Sequence, residues 1–140
     1  MTDAKRRLLW HGTAMVLLGL ATGGFLQSFA NPRLALAAHV GGMMNGTLVM
    51  VIGAAWAEIA LSAGLARFLF WSLVYSGYVN WVGLVLAAGF GTTLTTPLLG
   101  DGTPAQPWQE NLVAFCLVSG AVVTLAGIGL VLAGLRRRPS

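Results

Sequence analysis

The chain has 140 residues, of which 56% are hydrophobic and only 9% are charged, and its mean hydropathy is +0.78. A soluble globular domain has about 25% charged residues, so this composition excludes a soluble enzyme and a disordered segment. The net charge of +4 does not indicate a nucleic-acid partner, because six of the eight basic residues lie in two terminal clusters, Lys5–Arg7 and Arg136–Arg138. Basic clusters beside apolar segments are typical of a membrane surface. The single cysteine, Cys116, excludes an internal disulfide.

Long segments without charged residues divide the chain into four apolar stretches. Because a helix needs about 20 apolar residues to cross the hydrocarbon core, we predict membrane spans near residues 8–29, 34–56, 66–93 and 111–135. The first break is the turn signal Asn31-Pro32, and the third is a loop rich in Thr, Gly and Pro over about 92–110. The sequence therefore predicts one all-α membrane domain over residues 1–140, an integral membrane four-helix bundle.

Charge asymmetry predicts the orientation of this bundle. Four spans place both termini on one side, which carries Arg67 and both terminal clusters, while the other side carries Arg33 with Asp101 and Glu110. This bias predicts a bacterial inner-membrane protein with both termini in the cytoplasm. The 92–110 loop is then an outer cap, whose two carboxylates are expected to need water. The alternative for the first span is a signal peptide cleaved after Ala30, but its apolar run exceeds the usual signal core of about 7–15 residues.

A histidine and an asparagine lie on a glycine-lined face of the second span. At about 100° per residue, Gly46 lies roughly 20° and Gly42 roughly 60° from His39, with Asn45 at the edge of the same face. One interpretation is a ligand or cofactor site, in which the imidazole projects above a floor of two glycines. The other is helix packing, because Ala38, Gly42 and Gly46 form a row of small residues.

The third span carries a second asparagine, Asn80, at a depth similar to that of Asn45. Two amides at one level, each on a glycine-lined face, predict a shared polar pocket, and the alternative is a hydrogen bond between the two helices. Trp81 flanks the Asn80 face at about 100° and is either a stacking surface for an aromatic substrate or a packing residue. Tyr78 points about 160° away from Asn80, toward a different neighbour or another subunit.

The charge-free segments 8–32, 34–57, 68–100 and 111–135 leave no Asp, Glu, Lys or Arg in the membrane-buried parts of the spans. A small multidrug-type antiporter needs a membrane carboxylate, so the sequence argues against that class. His11 lies near the inner boundary of the first span, nearly 20 Å in depth from His39 at about 1.5 Å per residue, so the two are not expected to share a metal. His11 is either an interfacial capping residue or a gate to an inner opening. Gly19 and Gly23 form a GxxxG motif, which is typical of a packing face.

Three motifs in order resemble a known family. The string from Asn31 to His39, continuing to Met44-Asn45-Gly46, resembles the hydroxylaminobenzene mutases, as do His11-Gly12 and the string from Gly77 to Trp81. Bacterial styrene oxide isomerases are similar more distantly, because they share a histidine followed six residues later by Asn-Gly. That pattern corresponds to His39 and Asn45-Gly46 here.

The resemblance implies an intramembrane isomerase that assembles as a symmetric trimer with haem b between subunits. It implies that His39 is the axial ligand of the haem iron, that the iron acts as a Lewis acid, and that Asn45 holds the substrate. With it we assign Gly42 and Gly46 to the cofactor site, Asn45 and Asn80 to catalysis, and Tyr78 and Trp81 to substrate binding.

One position departs from the more distant relatives. Styrene oxide isomerases use a tyrosine four residues after the third-span asparagine, where this chain has Leu84. The resemblance therefore favours a mutase that converts an N-arylhydroxylamine into a 2-aminophenol over an epoxide isomerase.

Two non-enzymatic hypotheses stay open beside these. A haem-binding electron-transfer subunit would want a second axial ligand, for which His11 is misplaced, and in a structural protein the polar faces would serve packing only. The partners expected from the sequence and the resemblance are a small aromatic substrate, the lipid bilayer and further copies of the chain, with no nucleic acid.

Overall fold

The computed structural model describes residues 2–100 and 105–136, and all regular structure within these residues is helical. Four helices follow in chain order: α1 (Thr2–Gly24), α2 (Pro32–Ala54), α3 (Ala63–Phe90) and α4 (Pro107–Leu135). Short 3-10 turns at Leu26–Ser28 and Trp56–Glu58 follow α1 and α2. The predicted all-α four-helix bundle is confirmed.

The helices begin earlier than the predicted spans because they extend past the apolar segments into polar sequence. α1 includes Asp3 and Lys5–Arg7 in its first two turns and ends at Gly24, short of the predicted residue 29. Among the described residues, α2, α3 and α4 are the three helices long and apolar enough to cross a membrane. A full first span therefore stays a prediction, whereas the length and composition of the other three helices are compatible with a membrane protein.

Neighbouring helices pack as two antiparallel pairs, α1 with α2 and α3 with α4, and α2 joins the pairs by packing on α3. The end of the bundle at which α1 begins and α4 ends is called the inner end, after the predicted orientation, and the opposite end is called the outer end. The inner half of the core consists of Leu8, Met15, Val49, Ile52, Leu69, Phe70, Leu73 and Val74. The outer half consists of Leu34, Ala35, Ala87, Ala88 and Val113. The outward face of α4 leaves large apolar side chains exposed, including Phe115, Val122, Leu125 and Leu132. Such a face suits contact with lipid rather than water.

Asn31 joins three segments at the outer end of the bundle. Its side-chain oxygen accepts from the backbone N–H groups of Arg33 and Leu34 at 3.0 and 3.2 Å, which caps α2. Its side-chain nitrogen donates to the Leu99 carbonyl oxygen at 2.8 Å, and its backbone N–H donates to the Ala88 carbonyl oxygen at 2.9 Å. The turn predicted at Asn31 is therefore also the tie between α2, the end of α3 and the outer loop.

The connection between α3 and α4 corrects one prediction about water. Gly91 follows the last residue of α3 and caps the helix, and its φ of 69° is the left-handed conformation that glycine adopts without steric cost. Glu110 is only 5% exposed, and its carboxylate oxygens accept from the backbone N–H groups of Thr93 and Leu94 at 2.8 and 3.1 Å. The expectation that Glu110 needs water is wrong, because two backbone amides replace it. Asp101 lies outside the described residues.

Replacement of this carboxylate is expected to loosen the outer end. In Glu110→Gln, one of the two accepting oxygens is replaced by an NH2 group, which cannot accept a hydrogen bond. One backbone N–H then loses its acceptor, so we expect the free energy of unfolding to fall by about 1–3 kcal/mol. Thermal unfolding of the detergent-purified protein measures it. Glu58→Gln is the matched control, because Glu58 is exposed at the other end of the bundle. Equal stability of the two variants would show that the hydrogen bonds from Thr93 and Leu94 to Glu110 do not stabilise the fold.

Candidate active site

The imidazole of His39 lies in the contact between α2 and α1. Its Nδ1 is 2.8 Å from the backbone carbonyl oxygen of Gly19, and because a carbonyl only accepts, Nδ1 carries the proton and donates it. The Nε2 atom of the neutral ring then has a free lone pair. Metal-binding histidines usually donate their second ring N–H to a carboxylate or carbonyl in this way. With Nδ1 donating to Gly19, the neutral form of His39 offers Nε2 to a metal.

Gly23, one turn after Gly19, makes room for this ring. A Cβ atom at Gly23 would lie 2.5 Å from Nδ1 and 2.7 Å from Cε1 of His39. Both distances are shorter than van der Waals contact, so only glycine fits without moving the imidazole. The GxxxG motif of α1 is a packing face, as predicted, and part of what it receives is the His39 ring.

Gly42 and Gly46 do not form the open floor that the sequence predicted. A Cβ atom at Gly42 would lie 2.8 Å from the Gly19 Cα, and one at Gly46 would lie 2.6 Å from the Gly12 carbonyl oxygen. Both glycines are buried against α1. The packing interpretation describes them, because α1 already occupies the face on which a flat cofactor was expected to rest.

Trp81 reaches across from α3 to α1. Its indole N–H donates to the Thr22 hydroxyl at 3.1 Å, and that hydroxyl donates to the Leu18 carbonyl oxygen at 2.8 Å. The indole Cδ1 would lie 2.9 Å from a Cβ atom at Gly42. Trp81 therefore packs where three helices meet, beside the part of α1 that also binds His39. Its role as a stacking surface for substrate stays a prediction.

Asn45 carries an unused hydrogen-bond donor. The residue is half-buried, and its Nδ2 is buried without a hydrogen-bond partner. It lines an open groove of about 470 Å³ together with Met43, Met44, Thr47 and Leu48. Buried polar groups are nearly always hydrogen-bonded in folded proteins, so this amide is a candidate for a bond to something that the chain itself does not supply.

Asn80 lies against α4. A Cβ atom at Gly120 of α4 would lie 3.7 Å from the Cβ of Asn80. Since the Asn45 Nδ2 has no partner, it makes no hydrogen bond to the Asn80 side chain. Within the described protomer, the alternative of a hydrogen bond donated by Asn45 to Asn80 is not formed, and the shared polar pocket stays a prediction. A direct role of Asn80 in catalysis stays a prediction.

Tyr78 pairs with the other histidine, a contact that sequence reasoning missed. The Tyr78 hydroxyl lies 3.3 Å from Nδ1 of His11, and the two rings meet edge to face with centroids 5.9 Å apart. The His11 ring also contacts Trp10 and Phe70 edge to face. Tyr78 therefore faces α1, away from Asn80 as predicted. The helical period gave the direction, but nothing in the sequence pointed to His11 as the partner. Assignment of Tyr78 to the substrate stays a prediction.

Protein side chains alone do not form a metal site in the part of the chain that the structure describes. No group of three or more His, Cys, Asp or Glu side chains lies together there. A metal ion held by a macrocycle needs only one protein ligand. Of the two histidines, His39 has its second ring nitrogen fixed by a backbone carbonyl, so it is the residue that fits such a group.

Comparison with known proteins covers nearly the whole chain. A family model described as styrene oxide isomerase matches residues 4–136. The chain belongs to the styrene oxide isomerase family. Hydroxylaminobenzene mutase HabB of Ectopseudomonas oleovorans is 38% identical over 142 residues, covering 99% of this chain and 87% of the relative. Hydroxylaminobenzene mutase HabA of the same organism is 35% identical over 132 residues, covering 93% and 97%. No solved structure matches the chain.

Family membership confirms the resemblance and extends it past the third span. The resemblance rests on motifs between His11 and Trp81, whereas the family match continues through α4 to residue 136. With curated relatives that are mutases and a family of isomerases, this protein is an isomerase. Leu84, where the resemblance to styrene oxide isomerases implies a tyrosine, would lie 3.0 Å from a Cβ atom at Gly41, so an apolar side chain fills this part of the α2–α3 contact.

Proposed function

We propose that this isomerase rearranges an N-arylhydroxylamine into the corresponding 2-aminophenol and that it does so with a haem b held by His39. The observation that carries the proposal is the His39 tautomer, in which Nδ1 donates to Gly19 and Nε2 is free. The names of the two mutase relatives support the substrate class.

The reaction is balanced without an oxidant or a reductant. The N–O bond breaks, and a C–O bond forms at the ring carbon next to the one that bears the nitrogen. That ring carbon loses a proton and the nitrogen gains one, so the number of protons does not change. The chemistry that a haem would supply beside His39 is Lewis-acid stabilisation of negative charge developing on the hydroxyl oxygen. That contribution requires no ionised side chain, which agrees with the absence of Asp, Glu, Lys and Arg from residues 8–32, 34–57, 68–100 and 111–135.

The chain's own residues bind, orient and dehydrate the substrate. The Asn45 amide, whose Nδ2 has no partner, donates to a polar atom of the substrate and fixes its orientation. The apolar side chains of Met43, Met44 and Leu48 in the same groove keep water away, so that the oxygen returns to the ring instead of solvent attacking it. Trp81, held by its bond to Thr22, is a rigid aromatic surface for the arene.

Turnover of phenylhydroxylamine by the detergent-purified protein without added reductant tests the activity. We expect 2-aminophenol as product, together with a Soret band in the absorption spectrum. Styrene oxide is the comparison substrate, and phenylacetaldehyde from it at a higher rate would make the chain an epoxide isomerase instead. A Soret band without turnover of either substrate would favour the electron-transfer hypothesis. Neither turnover nor a Soret band, in protein expressed with ample haem, would favour the structural hypothesis.

Asn45→Ala is expected to separate catalysis from stability. Removal of one donor to developing negative charge typically costs about 10²-fold in turnover. The free energy of unfolding should not fall, because the Nδ2 atom makes no hydrogen bond and alanine is the better helix former. Steady-state rates and thermal unfolding measure the two effects. Asn111→Ala, at an exposed position of α4, is the control for loss of an amide. A loss of stability with unchanged turnover would assign Asn45 to packing.

We further propose the inner-membrane orientation with both termini cytoplasmic and the assembly of three copies. Seven basic residues on the side of the termini against Arg33 on the other support the orientation. Half-exposure of His39 in the protomer is compatible with a cofactor shared between copies. Reporter fusions at residue 140 should be active only for a cytoplasmic reporter, and mass measurement of the detergent complex should give three chains. A fusion active only in the periplasm would overturn the orientation.

A further inference from the structure

The inner end of the bundle has a cleft that the proposed reaction does not use. It has a volume of about 300 Å³ and lies between the first turns of α1 and α3 and the 3-10 turn after α2. Its lining includes Arg7, Arg67, Trp56 and Trp71, with Asp3 as its acidic residue. Two guanidinium groups against one carboxylate give the lining of the cleft a net positive charge.

Arg7 is held in place by aromatic rings. Its guanidinium carbon lies 4.8 Å from the ring centre of Phe70 and 5.8 Å from that of Trp71, both within cation–π range. Stacking leaves the N–H groups at the edge of the guanidinium free to bind an anion, in the planar fork that suits phosphate. The arginine is therefore oriented in advance, unlike a freely rotating surface side chain.

The amino end of α3 adds to the positive potential of the cleft. Arg67 lies in the second turn of this helix and is exposed, and Ala66 beside it also lines the cleft. The first turn of α3 contains no acidic residue, and the capping residue Ser62 makes no side-chain hydrogen bond to it. The partial positive charge of a helix amino end, which acidic residues often neutralise, thus stays available to a ligand.

The surroundings of the cleft are those of a membrane surface. Trp56 and Trp71 belong to the type of residue that collects at the headgroup level, and Lys5 and Arg6 are exposed in the same turn of α1 as Arg7. Basic groups at this level attract anionic lipids by about 1 kcal/mol each. We propose that the cleft binds the phosphate headgroup of an anionic phospholipid, with Arg7 and Arg67 on the phosphate and the tryptophans beside the glycerol. This inference rests on the proposed membrane insertion but not on the haem or the substrate.

Lipid selectivity of the full chain in nanodiscs tests the proposal. Purified protein is reconstituted with mixtures of phosphatidylglycerol and phosphatidylcholine, and the lipid retained per chain after detergent extraction is measured by mass spectrometry. We expect a preference for phosphatidylglycerol that falls about five-fold for each guanidinium removed in Arg7→Gln and Arg67→Gln. Arg33→Gln removes the same charge at the outer end and should leave the preference unchanged.

Three outcomes would overturn the proposal. The first is an equal loss in Arg33→Gln, which would indicate net charge rather than a site. The second is an unchanged preference in both inner variants. The third is complete displacement of the lipid by millimolar inorganic phosphate, which would make the cleft a site for a free anion. If Arg7→Gln does not fold, Arg67→Gln carries the test alone, because the Arg67 side chain is exposed. None of these readouts depends on turnover, so failure here is distinct from failure of the proposed isomerase activity.

Discussion

His39→Ala is expected to remove nearly all bound haem and all turnover while the four helices stay folded. The imidazole would be the only protein ligand on the iron. The hydrogen bond from Nδ1 to the Gly19 carbonyl oxygen fixes the orientation of the ring. The fold should survive because alanine favours a helix more than histidine does and because the Gly19 carbonyl keeps its own bond within α1. The ratio of Soret to protein absorbance, the rate of phenylhydroxylamine turnover and the far-UV circular dichroism measure these three effects.

His11→Ala is the matched control for this prediction. His11 is the other histidine of the chain, and its Nδ1 is near the Tyr78 hydroxyl rather than a backbone carbonyl. Haem content should therefore be unchanged in this variant. Unchanged haem in His39→Ala together with lost haem in His11→Ala would show that the wrong histidine has been assigned.

A second pair of variants tests the role of His39 without replacing that residue. Gly23→Ala would place a Cβ atom 2.5 Å from Nδ1 of His39, whereas at Gly24 nothing lies within 4 Å. We expect Gly23→Ala to displace the imidazole, lower haem occupancy and shift the Soret maximum, and Gly24→Ala to do none of these. Identical spectra for the two variants would mean that α1 does not orient His39.

Gly46→Ala is expected to separate α1 from α2 and destabilise the whole bundle. Its Cβ atom would lie 2.6 Å from the Gly12 carbonyl oxygen and 2.8 Å from the backbone nitrogen of Val16. Backbone atoms inside a helix do not move aside, so the helices themselves must shift. Overpacking of this kind typically costs about 1–3 kcal/mol, and thermal or SDS-induced unfolding of the purified protein measures it.

Gly89→Ala provides a control with the opposite sign. Gly89 is exposed in α3 and has nothing within 4 Å of its would-be Cβ. Alanine there should raise the free energy of unfolding by about 0.5–1 kcal/mol, because glycine loses more conformational freedom in a helix. If both variants changed stability in the same direction, the clash at Gly46 would not be the cause.

The sequence by itself determined the class of the fold and led to the family. The chain has long apolar segments and few charges. In a membrane, a helix satisfies the backbone hydrogen-bonding groups of such a segment, so the four helices and their approximate bounds could be predicted from the sequence. Helical period also gave the direction of Tyr78 relative to Asn80, because side chains two residues apart point to nearly opposite faces. The motif around His39 and Asn45 led to the family, which the comparison with known proteins confirmed.

Only the tertiary structure decided which helix covers each face. A row of small residues receives either another helix or a ligand, and the row of Gly42 and Gly46 turned out to receive α1. Likewise, the partners of His39, Trp81 and Glu110 are 20, 59 and about 17 residues away in the chain, and no local pattern specifies a contact at such separation. Periodicity within one helix fixes angles between its own side chains, but the neighbour at each angle depends on packing energies summed over all four helices. For that reason the sequence singled out His39 as a candidate, whereas it did not point to the Gly19 carbonyl that its Nδ1 contacts.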